Sequence, residues 1–427
     1  MALPMTDALP LQPNTSIVCP ECQAAIPVYS GYVTWCDACG WNVLPQAIAP
    51  DSGPFARSYR QLGRRFGDAM LRELQAGADL RPRLSPTVLA AGAMALLVHG
   101  MTVFLLVGSL AVMTTAWPNA FFIFVGASGL ALAWLLRPDL GKVPEAHYTR
   151  ERLPRLFTLL DRIAGVLGCR GVDLVVVDGT YNAFFGRLGF RQQRVLGLGL
   201  PLVVASKPQE LLSVLGHEFG HGVNGDAARS LLVGSALRTI EGWHWMLQPN
   251  WDQGGLLGLA AFPVNVLMIA VRWGLQVYWA ALVHLLYWQS QRAEYLADLL
   301  SMEVAGREAG VTSLEKMLLV PSFQLAVERA ALGTGVGLLA DFEERVARMP
   351  VREMERLRRA AILEGASLDA THPPTGHRIA LLQARPAASA RIQFTDVEYQ
   401  ALRAELLALA PGIERGLVEE YRASLYA

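Results

Sequence analysis

Charge is scarce in this sequence. Only 17% of its 427 residues are Asp, Glu, Lys or Arg, against ~25% in typical soluble domains. The 37 basic and 37 acidic residues cancel. That balance excludes the positive field of a bulk nucleic-acid binder, so no nucleic-acid partner is expected. From Ser85 to Leu136 charge is absent for 52 residues, too long a run for one membrane crossing of ~20. Cysteine is nearly absent as well. Four of the five lie in two C-x-x-C pairs and Cys169 stands alone. This argues against a disulfide framework and for a metal site. Met1 to Thr15 hold no basic stretch followed by an apolar core, so no cleavable signal peptide is expected. No internal repeat or low-complexity tract is evident.

What is present centres on Gly216-His217-Glu218-Phe219-Gly220-His221. Histidines at i and i+4 share one helix face, so both imidazoles reach one zinc ion. Glu218 stands beside them as the general base for the attacking water. Pro208 and Glu210 suit a helix N-terminus. A third ligand is needed, and Arg292-Ala293-Glu294-Tyr295-Leu296-Ala297-Asp298 offers one. Glu294 and Asp298 share a face, and Glu294 is taken as the third metal ligand.

The N-terminal cysteines read C-x2-C-x13-C-x2-C: Cys19, Cys22, Cys36 and Cys39. Four thiolates on two knuckles predict a closed structural zinc site, a ribbon over 1–45. Metal binding would supply the folding energy of so small a unit. Residues 46–84 read as a linker and a basic amphipathic helix. Its apolar residues include Phe66 and Met70, and it either lies on a membrane surface or packs on the protein. The uncharged run becomes a transmembrane hairpin over 85–137, broken at Trp117-Pro118-Asn119. His99 is expected to be a packed, hydrogen-bonded side chain. Arg72, Arg81 and Arg83 precede the hairpin, and Arg137, Lys142, Arg150 and Arg152 follow it. The positive-inside rule puts both flanks in the cytoplasm, where the cysteines stay reduced.

Val172–Val177 and Val195–Val204 read as strands. Residues 253–291 are uncharged except for Arg272. Glu294 must share a side with His217, so this insert crosses the membrane twice or not at all. Two crossings, with Arg272 at the far turn, are preferred because the turn removes the cost of a charge at the bilayer centre. The charged stretch within 343–359 reads as a solvated helix face, and 391–427 as a C-terminal packing helix.

Five motifs in order carry a family resemblance: Asn182-Ala183-Phe184, the segment 217–221, Asn224-Gly225-Asp226, the segment 294–298, and His372-Pro373-Pro374-Thr375-Gly376-His377-Arg378. The chain resembles the HtpX-like and CAAX-prenyl-protease-type integral-membrane zinc metallopeptidases, a branch of the gluzincins, over about 150–385. The resemblance implies a mainly α membrane protein with an α+β peptidase domain (145–390) and a small sheet. It implies a catalytic zinc on His217, His221 and Glu294, and Glu218 as general base and acid. Asp298 and Asp226 would stand behind the ligands. Asn182 would position substrate on an edge strand, and His372 and Arg378 would flank the reacting carbonyl, one of them donating to the oxyanion. Implied partners are a peptide or protein substrate and the lipid bilayer, with the site on the cytoplasmic face of a bacterial inner membrane and a role in protein quality control. The ribbon departs from the family pattern. A scaffold that binds partners through the ribbon is the alternative expectation.

Overall fold

A computed structural model describes residues 12–45, 54–80, 85–223, 226–251, 255–333, 337–364, 372–387 and 389–426; the side chains of 54–60, 226–230, 255–260 and 364 lie outside that description. At the N-terminus β1 (Thr15–Val18) and β2 (Ala25–Val28) pair antiparallel. Their core is small: Cys19, Ile26 and Cys36 with Ala24 and Trp41 against them. Helix α1 (Pro54–Gln75) buries Met70 and Leu74 against Tyr295 and Leu381. This face of the basic helix packs on the catalytic domain.

The hairpin forms as α2 (Pro86–Thr115) and α3 (Ala120–Leu135). Ser85 Oγ accepts the Val88 N–H and Asn119 Oδ1 accepts those of Phe121 and Phe122, so both starts are capped from within the sequence. His99 Nε2 lies 3.0 Å from Ser235 Oγ and 3.1 Å from the Leu232 carbonyl, the hydrogen-bonded state expected.

The main core begins at α4 (Pro154–Leu167), which buries Leu156, Leu159, Leu160 and Ile163 at helical spacing. Strands β3 (Leu174–Asp178), β4 (Ala183–Leu188) and β5 (Gln193–Gly199) follow. The sheet order is β3-β5-β4, with β3 parallel and β4 antiparallel to β5. This makes β4 an edge. The strand expected to reach Val204 stops at Gly199, because Pro201 has no N–H for a ladder. Residues Leu200–Ala205 instead form α5.

Next come α6 (Pro208–Val223), α7 (Asp226–Met246) and α8 (Gly255–Ala305). They correct the expected hairpin within 253–291. Helix α8 runs unbroken for 51 residues, through Pro263 and Arg272, and its partner is α7. The contacts Asn250–Asn265, His244–Arg272 and Glu241–Trp279 rise in one helix as they fall in the other, so the two run antiparallel. Arg272 needs no turn because its guanidinium meets His244 Nε2 at 2.9 Å. Arg238, Glu241 and His244 made α7 too polar to be read as an apolar segment.

Helices α9 (Arg307–Lys316), α10 (Val320–Ala331), α11 (Leu338–Arg348), α12 (Val351–Glu364) and α13 (Thr375–Ala384) complete the domain. The expected single packing helix at the end is two, α14 (Asp396–Leu407) and α15 (Ala410–Ser424). Pro411 fits only a first turn, which sets the break.

The expected solvated face around α12 is also corrected. Arg352 and Arg359 both lie over the buried Trp35 ring, 4.7 and 5.0 Å from its centroid. Arg352 donates to the Trp35 carbonyl, Arg359 to that of Asp37 and Arg356 to that of Val43. The arginines are a clasp for the ribbon.

Candidate metal centre and active site

Helix α6 starts firmly. Glu210 reaches back to accept the Lys207 N–H at 2.8 Å, and Pro208 presets the first turn. One face then carries Gly216 and Gly220 against α8. A Cβ on Gly220 would stand 2.8 Å from Ala297 Cα, and one on Gly216 would be 3.3 Å from Ser301 Cα. The two glycines let the backbones approach, which brings Glu294 on α8 to the histidines on α6.

The three proposed ligands converge. His217 Nε2 and His221 Nε2 are 3.2 Å apart, His217 Nε2 and Glu294 Oε2 3.5 Å, and His221 Nε2 and Glu294 Oε1 3.4 Å. A tetrahedral zinc with bonds of ~2.0–2.1 Å separates its ligand atoms by ~3.3 Å, so the triangle fits that ion. Electrostatics agree. Burial and Arg378 push the His217 imidazole toward neutrality, but Asp298 and Glu294 outweigh them and pull its pKa up to about 10. A site that holds a proton this tightly favours a cation, and a divalent metal supplies one. Glu294 is also charged: burial raises its pKa, yet His217, His372 and Arg378 hold it well below the carboxylate range.

Behind the ligands, Asp298 Oδ1 lies 3.0 Å from His217 Nδ1, leaving Nε2 to face the metal position. Arg378 grips the same carboxylate with two N–H groups, Nε at 2.8 Å and a terminal nitrogen at 2.7 Å. Burial opposes ionisation of Asp298, and Arg378 and His217 prevail to keep it charged. His372 differs in setting. Its side chain is 55% exposed, with Nδ1 2.7 Å from Glu294 Oε2. Glu218 lines the same cavity of about 380 Å³ with Asn182, Phe184, His372 and Arg378. Burial is the main influence on Glu218 and raises its pKa, which strengthens it as a base.

Of the residues expected here, His217, Glu218, His221, Glu294, Asp298, Asn182, His372 and Arg378 gather at one cavity. The Asp226 side chain, with Asn224 and Gly225, lies outside the described residues. Gly216 and Gly220 were missed as functional residues, although small residues at i and i+4 flanking the histidines were a visible signal. Phe185, beside Phe219 at the cavity, carried no signal.

The N-terminal cysteines form the second cluster. Cys19 Sγ and Cys39 Sγ are 3.7 Å apart, and Cys22 Sγ and Cys36 Sγ 3.5 Å. Zinc–sulfur bonds of ~2.3 Å predict ~3.8 Å, and all four ligand atoms lie within 4.8 Å of one another. Backbone N–H groups of Cys39 and Ala38 help hold the Cys36 thiol down to about 7.

Among the described residues two helices are long and apolar enough to cross a membrane, α2 and the 261–305 part of α8; α3 is shorter and also apolar. The most apolar windows of the two long helices are only 17% and 6% buried, unlike the core helices of a soluble protein.

Comparison with known proteins agrees with this geometry. The chain is 27% identical to the Protease HtpX homolog of Pyrobaculum calidifontis over 311 residues, covering 66% of this chain and 86% of that protein. It is 29% identical to the Protease HtpX homolog of Pyrobaculum aerophilum over 171 residues, 38% of this chain and 46% of that one. Protease HtpX of Xylella fastidiosa is 24% identical over 205 residues, 45% of this chain and 68% of its own. No solved structure matches. The profile of peptidase family M48 matches residues 153–386, more than half of the chain, and includes His217, Glu218, His221, Glu294, Asp298, Asn182, His372 and Arg378 but not the N-terminal cysteines. The chain therefore belongs to peptidase family M48 and is an HtpX-like zinc metallopeptidase.

Proposed function

We propose that this protein is a membrane-embedded endopeptidase that cleaves membrane or membrane-associated proteins on the cytoplasmic face, in protein quality control. The observation that carries it is the convergence of His217, His221 and Glu294 to a zinc-sized triangle with Glu218 beside it. Bound there, zinc supplies Lewis-acid polarisation of the scissile carbonyl. The chain's own groups do the rest. Substrate extends along the β4 edge, whose main chain offers it a ladder, with Asn182 at the start of that edge. Glu218 takes the proton of the attacking water and returns it to the leaving amine. His372 donates to the developing oxyanion. Arg378 positions Asp298, and Asp298 positions His217.

The helix pairing supports one membrane topology. In this reading α2 and α3 cross as one hairpin, and α7 with the apolar half of α8, up to Gln291, cross as another. The even count keeps Glu294 on the side of His217, and the half-buried Arg272–His244 pair gives the arginine a partner between the two helices. A structural zinc in the ribbon completes the assignment. The scaffold alternative loses support because Trp35, a buried aromatic of the ribbon, packs against α12.

The test is Glu218→Gln in the reconstituted full-length protein. It should keep its zinc, lose cleavage of a membrane protein substrate by at least ~100-fold, and trap substrates for identification by mass spectrometry. Undiminished cleavage would refute the assignment.

A further inference from the structure

The β4–β5 turn, Gly189 to Gln192, is not used by the mechanism, and its surroundings set it apart. Phe190 at its tip is 91% exposed. A lone exposed aromatic carries little meaning, but the position of this one does. The Gly189 N–H points at the carbonyls of Leu140 and Gly141, 3.2 and 3.1 Å away. Those residues lie only five and six positions after α3 ends at Leu135. Leu188 and Val143 pack on one small cluster under the turn, so the tip is rigidly tied to the chain leaving the apolar hairpin. The end of α3 carries Trp134, 66% exposed, with the Arg137 guanidinium 4.3 Å above its ring. An aromatic and a cation at a helix end are the usual marks of a bilayer interface. Beside the tip lies a cavity of about 250 Å³ lined by Arg170, Arg187, Arg191 and Arg194, with Asp173 its acid. Asp173 is paired with Arg194, while Arg170, Arg187 and Arg191 are exposed.

We propose that the β4–β5 turn is an interfacial anchor: Phe190 enters the acyl region, and Arg170, Arg187 and Arg191 hold phosphates of anionic lipids. This rests on the membrane reading above. It has a consequence for substrate capture. The turn is the far end of β4, so the edge that receives substrate stands at the bilayer surface and meets segments as they emerge from it. Charge complementarity argues for lipid phosphate, since each basic side chain near an anionic surface contributes ~1 kcal/mol. An acidic peptide would match the arginines but would leave Phe190 in water.

Site-specific photo-crosslinking of the full-length protein in phosphatidylcholine bilayers, with and without phosphatidylglycerol, tests this. A benzophenone amino acid replaces Phe190. Phe104, 76% exposed on α2, is the membrane control, and Val397, 81% exposed on α14, is the solvent control. Positions 104 and 190 should label with lipid and 397 should not. Labelling at 104 without 190 would overturn the anchor and leave the membrane reading intact; failure at 104 would overturn both. Arg170→Glu and Arg191→Glu should each lower phosphatidylglycerol labelling at 190 by at least about fivefold, with hydrolysis of a short neutral peptide unchanged. Unchanged lipid labelling, or loss of cleavage of an acidic peptide in lipid-free detergent, would assign the arginines elsewhere.

Discussion

Asp298 is the residue on which the site's geometry turns. It is 1% exposed, orients His217 through Nδ1, and satisfies Arg378 with both oxygens. Replacing it leaves a buried guanidinium without its counter-charge and frees the ring of a ligand. Asp298→Asn is expected to weaken binding at the catalytic site by ~10–100-fold. Cobalt titration can follow this, because thiolate charge-transfer bands separate the ribbon's four-cysteine site from the His/Glu site. Equal affinity in both proteins would remove Asp298 from its supporting role. Glu294→Ala should go further and abolish binding at that site, since it removes a ligand outright. Stoichiometric retention of metal there would exclude Glu294 as a ligand.

At the scale of elements, the site is the contact between α6 and α8, and Gly220 sets its closeness. A methyl group there meets Ala297 Cα, a backbone atom that cannot rotate away. Gly220→Ala should force the helices apart, costing ~1–3 kcal/mol of stability and displacing Glu294 from the histidines. Thermal unfolding and zinc content should both drop. A variant that keeps both would mean that α8 slides without cost. How α8 is made could not be read locally. Arg272 looked like a turn because an isolated arginine in an apolar run is costly. Its partner His244 lies 28 positions away on a helix whose own polarity hid it. The H-E-x-x-H helix, by contrast, announces its start, face and ligands within sixteen residues.

Across the whole molecule, the ribbon is tied to the catalytic domain through α12. Trp35 is 1% exposed, with Arg352 and Arg359 against its ring, and Arg358 on the same helix holds Glu315 of α9 at 2.7 and 2.8 Å. Trp35→Ala should cost ~3–5 kcal/mol at that junction. Faster amide hydrogen exchange across 351–364, with the ribbon's metal still bound, is the expected signature. Unchanged protection would show that α12 stands without the ribbon.

The histidine pair, the four-cysteine cluster and the hairpin of α2 and α3 were legible in the chain because each depends on local spacing. One turn of helix aligns His217 with His221, two knuckles align four cysteines, and a charge-free run has few other places to go. The order of the motifs pointed to Glu294, but only packing brings it within 3.5 Å of both histidines. The pairing of α7 with α8, the use of α12 as a clasp and the seat of the β4–β5 turn against the end of α3 all required tertiary structure. Each joins residues distant in sequence through groups whose local context reads as something plainer: a turn, a solvated face, a surface loop. Periodicity reports what one element does with its own neighbours. It is silent about which charged side chain will find its partner on another element, and here those pairings decide where the site sits.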